Sequence, residues 1–366
     1  LTVKLTGNTA EVQSGTAYNA YGAHAKTTQK NGAAEVTAEG NTLTVTKLTA
    51  DSDSFVGAKL TYERDSAATA PGATTLTAKS NKADLNEGKL SDLSGAEIRV
   101  NNAFGGAARY EATENAVTIA ANGEATDSVT GALINQQGTS ADGTSYTAAA
   151  AKNTVTNTGG KAKKVTGADV TLRANHAGDV QATLTENAVT GTGGTWSDSV
   201  QGGAADLMAE TGTAAASLTK NKVDLTNAAL DNAFIRTHAI THTKAAGKTA
   251  SAASNENVLL LKNVSGTAQD LIGGSVSVEA DRASAAGTAD SNSVTVEGGT
   301  LTAAHHVYGG AITAGGKDAP VTATATANTV TLSAAAPWQD VYGAYAFADA
   351  VNAAATARAE GNTVTA

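Results

Sequence analysis

Residues 328–332 read Asn-Thr-Val-Thr-Leu and residues 41–45 read Asn-Thr-Leu-Thr-Val, and this recurring pattern decides the fold. Apolar residues follow the asparagine at two and four positions, with polar residues between them, which indicates a strand with one buried face. The separations between successive asparagines are 33, 40, 34, 38, 34, 34, 36, 35, 36 and 34 residues, as expected for an internal repeat. The eleven anchors are Asn8, Asn41, Asn81, Asn115, Asn153, Asn187, Asn221, Asn257, Asn292, Asn328 and Asn362.

The inward row four positions after the anchor is interrupted twice, by Asn157 and Gly191. Elsewhere this row holds Val, Leu or Ile in most repeats. A polar residue or a glycine in a buried row removes apolar packing. We therefore expect these two coils to be locally weaker.

A second element follows each anchor by about 14 residues, as in Val129-Thr-Gly131-Ala-Leu-Ile134. Its two apolar rows are five residues apart, an odd number, so a bend or bulge between them is needed for both rows to point inward. Glycine permits such a bend and a close approach of neighbouring coils. One repeat carries Arg236 in place of the glycine and Phe234 in the first apolar row. The predicted corner glycines are Gly22, Gly57, Gly95, Gly131, Gly167, Gly202, Gly273, Gly309 and Gly343.

A third element lies just before each anchor, with small apolar residues five and three positions ahead of the asparagine. Val36 with Ala38 and Leu76 with Ala78 are examples. Strands that recur in one order, with no helical pattern between them, predict an all-β fold, a parallel β-solenoid or β-helix. Parallel connections favour the right-handed coil.

A repeat of ~35 residues can form one wide coil or two narrow ones. The three elements differ in pattern and spacing, which favours one coil per repeat and about ten coils in all. We expect residues 1–366 to be one continuous solenoid, cut at both ends from a longer array. With ~4.8 Å between stacked strands, it would be on the order of 50 Å long.

The repeated asparagines predict a ladder, because asparagine tolerates a left-handed backbone and carries both a donor and an acceptor. The alternative is an array that binds glycan or ice. Thr residues on the outward positions also order water, but Lys82, Asp84, Lys222, Asp224 and Leu260 interrupt the grid that ice binding needs. The structural role is therefore the prediction for the asparagines and the corner glycines.

Composition excludes several classes of protein. The net charge is −9 and the isoelectric point about 5.2, which gives no basic surface for nucleic acid. Cysteine is absent, which removes disulfides and thiolate metal sites. No apolar stretch of about 18 residues is present, so direct membrane insertion is not expected.

Residues 292–301, Asn-Ser-Val-Thr-Val-Glu-Gly-Gly-Thr-Leu, and residues 306–311, His-Val-Tyr-Gly-Gly-Ala, resemble the repeats of autotransporter passenger domains. These are the surface-exposed solenoids of type V secretion systems. The resemblance covers nearly the whole chain and is clearest in the last three repeats. It implies an extracellular, cell-surface location and an outer-membrane translocator barrel as a partner in the full-length protein.

Candidate chemistry is sparse. His238 and His242 lie four residues apart, ~13 Å in a strand, which is too far for one ion. No carboxylate or cysteine completes a recognisable metal set with them or with the adjacent His305 and His306. Asp127, Asp198, Asp231, Asp270 and Asp340 recur before the corner at shifting offsets, as turn-forming residues do. We predict no catalytic residue, no metal site, no cofactor and no enzymatic activity.

Three functions remain open. The first is an adhesin or self-associating passenger, or a rigid stalk, whose partners are a host or neighbouring cell surface, a glycan or the protein itself. The second is the structural protomer of an extracellular filament or sheath. The third, least supported, is a carbohydrate-active β-helix enzyme. Variable loops at 62–73, 99–107, 135–145, 171–179 and 241–249 are the expected contact sites, or else they are drifting surface loops.

Overall fold

The computed structural model describes residues 1–49, 51–65, 70–102, 106–136, 144–176, 178–333 and 336–366. Parts of four of the predicted variable loops, between 62 and 179, lie outside these residues. Within them every regular element is a strand, and all strand pairs are parallel. Each strand pairs with its equivalent one repeat later, so the prediction of a parallel β-solenoid with one coil per repeat is confirmed.

One sheet contains the strands that precede the anchors. Strands are numbered in chain order throughout. The members of this sheet are β1 (Thr2–Thr6), β4 (Gly32–Glu39), β7 (Pro71–Lys79), β9 (Ala108–Thr113), β11 (Tyr146–Ala151), β14 (Val180–Thr185), β17 (Ala214–Thr219), β20 (Thr249–Asn255), β22 (Ser284–Asp290), β24 (Val321–Thr326) and β27 (Ala355–Glu360). Residues alternate along its inner strands, such as β9, β14 and β17, with the apolar side chains buried and the intervening ones turned outward.

The remaining strands form the rest of each coil, and in four repeats the strand after the anchor continues into the glycine element without a break. Short strands follow the anchors: β2 (Thr9–Val12), β5 (Thr42–Val45), β12 (Thr154–Asn157), β15 (Ala188–Thr192), β18 (Lys222–Thr226), β25 (Thr329–Leu332) and β28 (Thr363–Thr365). The glycine elements are β3 (Asn19–Gln29), β6 (Ser52–Arg64), β13 (Lys161–Ala174), β16 (Thr195–Ala209), β19 (Ala229–Thr243) and β26 (Trp338–Val351). Both elements are continuous in β8 (Lys82–Asn102), β10 (Ala116–Gln136), β21 (Val258–Ala280) and β23 (Ser293–Lys317).

The interior is divided into two apolar cores. One joins the sheet before the anchors to the second apolar row of the glycine element, with Leu76 and Ile98 as members. The other joins the residues after the anchors to the first apolar row, with Val117 and Val129 as members. Alanine and the aliphatic side chains of valine, leucine and isoleucine fill most of both cores in thin stacked layers, which is why a chain with 4% aromatic residues has a continuous interior.

The two interruptions of the inward row are filled by other means. Trp196 is fully buried over Gly191, where an added Cβ would lie 2.2 Å from the indole ring. The Trp196 Nε1 donates to the carbonyl of Gly193 at 3.1 Å. Asn157 is also fully buried, and its Oδ1 accepts from the backbone N–H of Gly160 at 2.8 Å. A buried ring and a closed turn thus replace the missing aliphatic side chains.

Candidate interaction surface

The eleven predicted anchors form one continuous side-chain ladder along the solenoid. The Nδ2 of each asparagine donates to the Oδ1 of the next, from 2.7 Å between Asn8 and Asn41 to 3.1 Å between Asn221 and Asn257. The intervening steps fall between these distances. The nine anchors from Asn41 to Asn328 are fully buried.

The ladder satisfies the whole hydrogen-bonding capacity of its nine buried amides, from Asn41 to Asn328. At Asn187, for example, Oδ1 accepts from the backbone N–H and the Nδ2 of Asn153, and Nδ2 donates to Asn221 and to the carbonyl of Ala150 at 2.9 Å. A buried amide has two donors and two acceptor positions, and all four are used. These asparagines therefore offer no free group to a ligand, in keeping with a structural role.

The left-handed residue at each turn is the one before the asparagine, not the asparagine itself. All eleven preceding residues have positive φ, from 52° at Ser80 and Ala327 to 66° at Gly40. Only three of them are glycine, so residue type gave no signal, and the prediction that asparagine supplies the left-handed backbone is wrong. Lys152 with Glu186 and Lys220 with Glu256 form ion pairs along this outer row, at 3.9 and 3.6 Å.

The nine predicted corner glycines lie where the backbone of a neighbouring coil or strand approaches closely. A Cβ on Gly131 would lie 2.4 Å from the carbonyl oxygen of Gly167, and a Cβ on Gly167 would lie 2.4 Å from the carbonyl oxygen of Gly202. None of the nine has positive φ, so close approach and not an unusual backbone angle requires glycine here. The next residue packs on the ladder: a Cβ on Gly310 would lie 2.7 Å from the Oδ1 of Asn328. This contact separates the two cores.

The repeat without a corner glycine is one residue shorter at that place. Val200 pairs with Ile235, and Ala204 pairs with His238, so Thr237 alone lies opposite Gly202 and Gly203. Ile235 is therefore the buried member of the first apolar row, and the assignment of Phe234 to it is wrong. Arg236 pairs with Gln201 on the outer face and does not replace the glycine.

The histidines on β19 lie on the outer face, as the strand alternation requires. The Nδ1 of His238 is 3.0 Å from the Oγ of Ser275 in the next coil. Loss of hydration and the neighbouring Arg236 lower the pKa of His238 to about 3, so it is neutral near pH 7. His242 lies beside Glu279 and Asp281 of the next coil. The sequence prediction that no carboxylate completes a metal set with these histidines did not anticipate these two neighbours, which the stacking of coils brings to His242.

A second column of outer residues brings Asp270, His306 and Asp340 together from three successive coils. The Nδ1 of His306 is 2.9 Å from Asp270 Oδ1, and its Nε2 is 3.4 Å from Asp340 Oδ2. The interpretation of the recurring aspartates as turn residues is therefore wrong for Asp270 and Asp340, which lie in strands. It fits Asp198, whose φ is 64°, whereas Asp127 pairs with Lys164 at 2.7 Å.

Aromatic side chains extend this column into a surface that we call the tyrosine face, comprising His306, Tyr308, Tyr342, Tyr345 and Phe347. The rings of Tyr308 and Tyr342 are stacked, with centroids 5.5 Å apart and 14° between their planes. His306 stacks on Tyr308 at 5.8 Å, and Tyr345 lies 6.0 Å from it.

The tyrosine face is open to solvent. Tyr342, Tyr345 and Phe347 are 47%, 45% and 46% exposed. They lie on the last coil of the given sequence, where inward residues such as Val364, at 44%, are exposed as well. Partial burial and the Asp340 carboxylate raise the pKa of Tyr308, so its hydroxyl remains a hydrogen-bond donor at neutral pH. Clustered exposed rings beside two carboxylates are typical of a binding surface.

Sequence reasoning did not single out the tyrosine face. The available signal was the repetition of Val-Tyr-Gly in consecutive repeats, at 307–309 and 341–343. Because the tyrosine directly precedes the corner glycine, its side chain leaves the apolar row and points outward in both coils. The register then stacks the two rings.

In the described part of the chain, no helix has the length and apolar character needed to cross a bilayer. Comparison with protein-family models, with curated proteins and with solved structures found no match to this chain.

Proposed function

We propose that this chain is a rigid, cell-surface stalk that makes weak adhesive contacts with glycans through the tyrosine face. The observation that carries the proposal is the stack of the partly buried Tyr308 on the half-exposed Tyr342, beside the Asp270 and Asp340 carboxylates. Aromatic rings pack on the apolar C–H face of a sugar, and carboxylates accept hydrogen bonds from its hydroxyls.

The stalk part of the proposal is supported by the ladder. Stacked coils with eleven linked asparagines and two continuous cores resist bending, since bending opens hydrogen bonds that have no water to replace them. A rod of this kind holds a contact surface away from its point of attachment. Many copies on one cell would multiply a weak contact into firm attachment.

The resemblance of residues 292–311 to autotransporter repeats supports an extracellular setting. In that setting the full-length protein would be attached through an outer-membrane translocator barrel. The partners we propose are a host or neighbouring cell surface and its glycans. No enzymatic activity forms part of this proposal.

A glycan array probed with the purified chain tests the adhesive role. We expect binding by the natural chain and its loss in the double variant Tyr342→Ala/Tyr345→Ala, because both rings are removed from the tyrosine face. Tyr18→Ala is the matched control, since Tyr18 is 86% exposed and lies in the first repeat, outside the tyrosine face. It should bind as the natural chain does.

Two results would contradict the proposal. Binding that survives the double variant would place the glycan contact elsewhere on the rod. Absence of glycan binding, together with regular fibrils in electron micrographs of the chain at rising concentration, would favour the filament protomer.

A further inference from the structure

A second cluster of outer side chains lies apart from the tyrosine face, between the coils that follow Asn221 and Asn257. It consists of His242 on β19, Glu279 on β21 and Asp281 directly after β21. His242 and Glu279 are register partners in adjacent coils. One nitrogen or oxygen from each of the three residues lies within 4.8 Å of the others.

The Nε2 atom of His242 is buried and takes part in no hydrogen bond among the described residues. It faces Asp281, with 3.7 Å between Nε2 and Oδ1, which is too long for a hydrogen bond. A buried ring nitrogen with a free position, on a histidine beside two carboxylates, is an arrangement that suits a metal ligand.

Space for an ion is available above the cluster. Gly315 of the following coil is the register partner of Glu279, and a Cβ added there would meet nothing within 4 Å. The adjoining groove has a volume of about 340 Å³ and is lined by Glu279, Asp281, Lys317 and Asp349, among others. Three carboxylates outnumber the one lysine, so the groove favours a cation.

We infer that His242, Glu279 and Asp281 bind a divalent transition-metal ion of the zinc type. A histidine nitrogen with two carboxylate oxygens is a donor set for zinc-like ions, whereas calcium and magnesium prefer oxygen ligands alone. Metal–ligand bonds of ~2.0–2.2 Å require the two exposed carboxylates to move inward slightly. Water would complete the coordination. The ion would link two coils and so add stability to this part of the rod.

This inference differs from the sequence-based prediction of no metal site, and it does not depend on the proposed glycan contact. The reason that the cluster escapes notice in the sequence is its register. His242 follows its anchor by 21 residues and Glu279 follows its own by 22, because the corner before His242 is one residue shorter.

Isothermal titration of the full chain with Zn²⁺, after treatment with chelator, tests the inference. We expect a site with a stoichiometry of one that disappears in His242→Gln and in Glu279→Gln. His306→Gln and His305→Gln are the controls, because they remove the other histidine near carboxylates and its exposed neighbour. Both controls should retain the site.

The same variants provide a structural measurement. Zinc should shift the ¹⁵N resonances of the His242 ring in the natural chain and raise its midpoint of thermal unfolding. His242→Gln should unfold at the natural midpoint in the absence of zinc and show no rise with it. The inference is overturned if no binding is detected, or if the site persists in both ligand variants or is lost in His306→Gln.

Discussion

Each buried asparagine of the ladder makes four side-chain hydrogen bonds in a place that water does not reach. The positions of these residues could be predicted from their spacing, and so could the type of contact, since an amide carries both donor and acceptor. The left-handed residue before each of them could not be predicted. Glu114, Lys152 and Ala327 occupy that position in other repeats where Gly40 does in one, because the side chain there is outside the core and only the backbone is constrained.

Asn187→Asp should destabilise the chain by roughly 3 kcal/mol or more, because the carboxylate cannot donate to Asn221 or Ala150 and places a charge in a buried row. Urea unfolding measures the effect. Asn122→Asp is the matched control, since Asn122 is exposed, and its change should stay within about 0.5 kcal/mol. Equal effects of the two substitutions would show that the ladder contributes little.

Ala327→Gly should stabilise the chain by about 0.5–1 kcal/mol. Ala327 is exposed with φ at 52°, and a left-handed backbone costs a residue with a Cβ more than glycine loses in entropy. The reverse change, Gly40→Ala, adds a methyl group that touches nothing at a φ of 66° and should destabilise by a similar amount. If both variants shifted the denaturant midpoint in the same direction relative to the natural chain, the assignment of strain to this position would be refuted.

The glycine element is a part of the coil where successive elements pack closely. Its bend could be predicted from the odd spacing of the two apolar rows. In the structure, the close contact between Gly310 and Asn328 separates the two cores. The corner at Thr237 could not be placed from spacing alone. This corner is one residue shorter than its equivalent in the preceding coil, so the spacing of the apolar row changes by one residue. Only the strand pairing shows that Ile235, not Phe234, is buried in that row.

Gly131→Ala should destabilise the coil by about 2 kcal/mol or more, because the new methyl group would lie 2.4 Å from a backbone oxygen that cannot move without shifting the next coil. Gly315→Ala is the control, as nothing lies within 4 Å of its added methyl group. Thermal unfolding of both variants should separate them by several degrees. Similar melting temperatures would mean that the coils are not held this closely.

The strand that carries His238 makes stability depend on pH. The pKa of His238 in the folded chain is about 3, below the ordinary value of 6.5. Below pH 6.5 the unfolded chain therefore binds a proton at this histidine that the folded chain does not bind. This residue's share of stability is therefore lost as pH falls from about 6.5 to 3. His238→Asn should lose less stability than the natural chain between pH 7 and 4, and His305→Asn should behave like the natural chain. Identical pH profiles for all three would contradict the shift.

At the scale of the whole molecule, near-constant anchor spacing predicted the number of coils, and the parallel register of each strand with its equivalent one repeat later confirms one coil per repeat. The outer columns were not predictable. Connections of different length shift Asp270, His306 and Asp340 relative to their anchors, so side chains that stack in space lie at unequal offsets in sequence. The regular repeat thus predicts the solenoid, whereas the outer side-chain columns depend on the places where the repeat length varies.

Disulfide trapping tests the one-coil solenoid most directly, because the chain contains no natural cysteine. Thr156 and Thr190 are register partners with their hydroxyls 3.2 Å apart, so the pair Thr156→Cys/Thr190→Cys should oxidise to a disulfide in the folded chain. Thr118→Cys/Thr190→Cys, two coils or ~10 Å apart, should remain reduced. Failure of the first pair to form a disulfide, as expected if each repeat made two coils, would contradict the account.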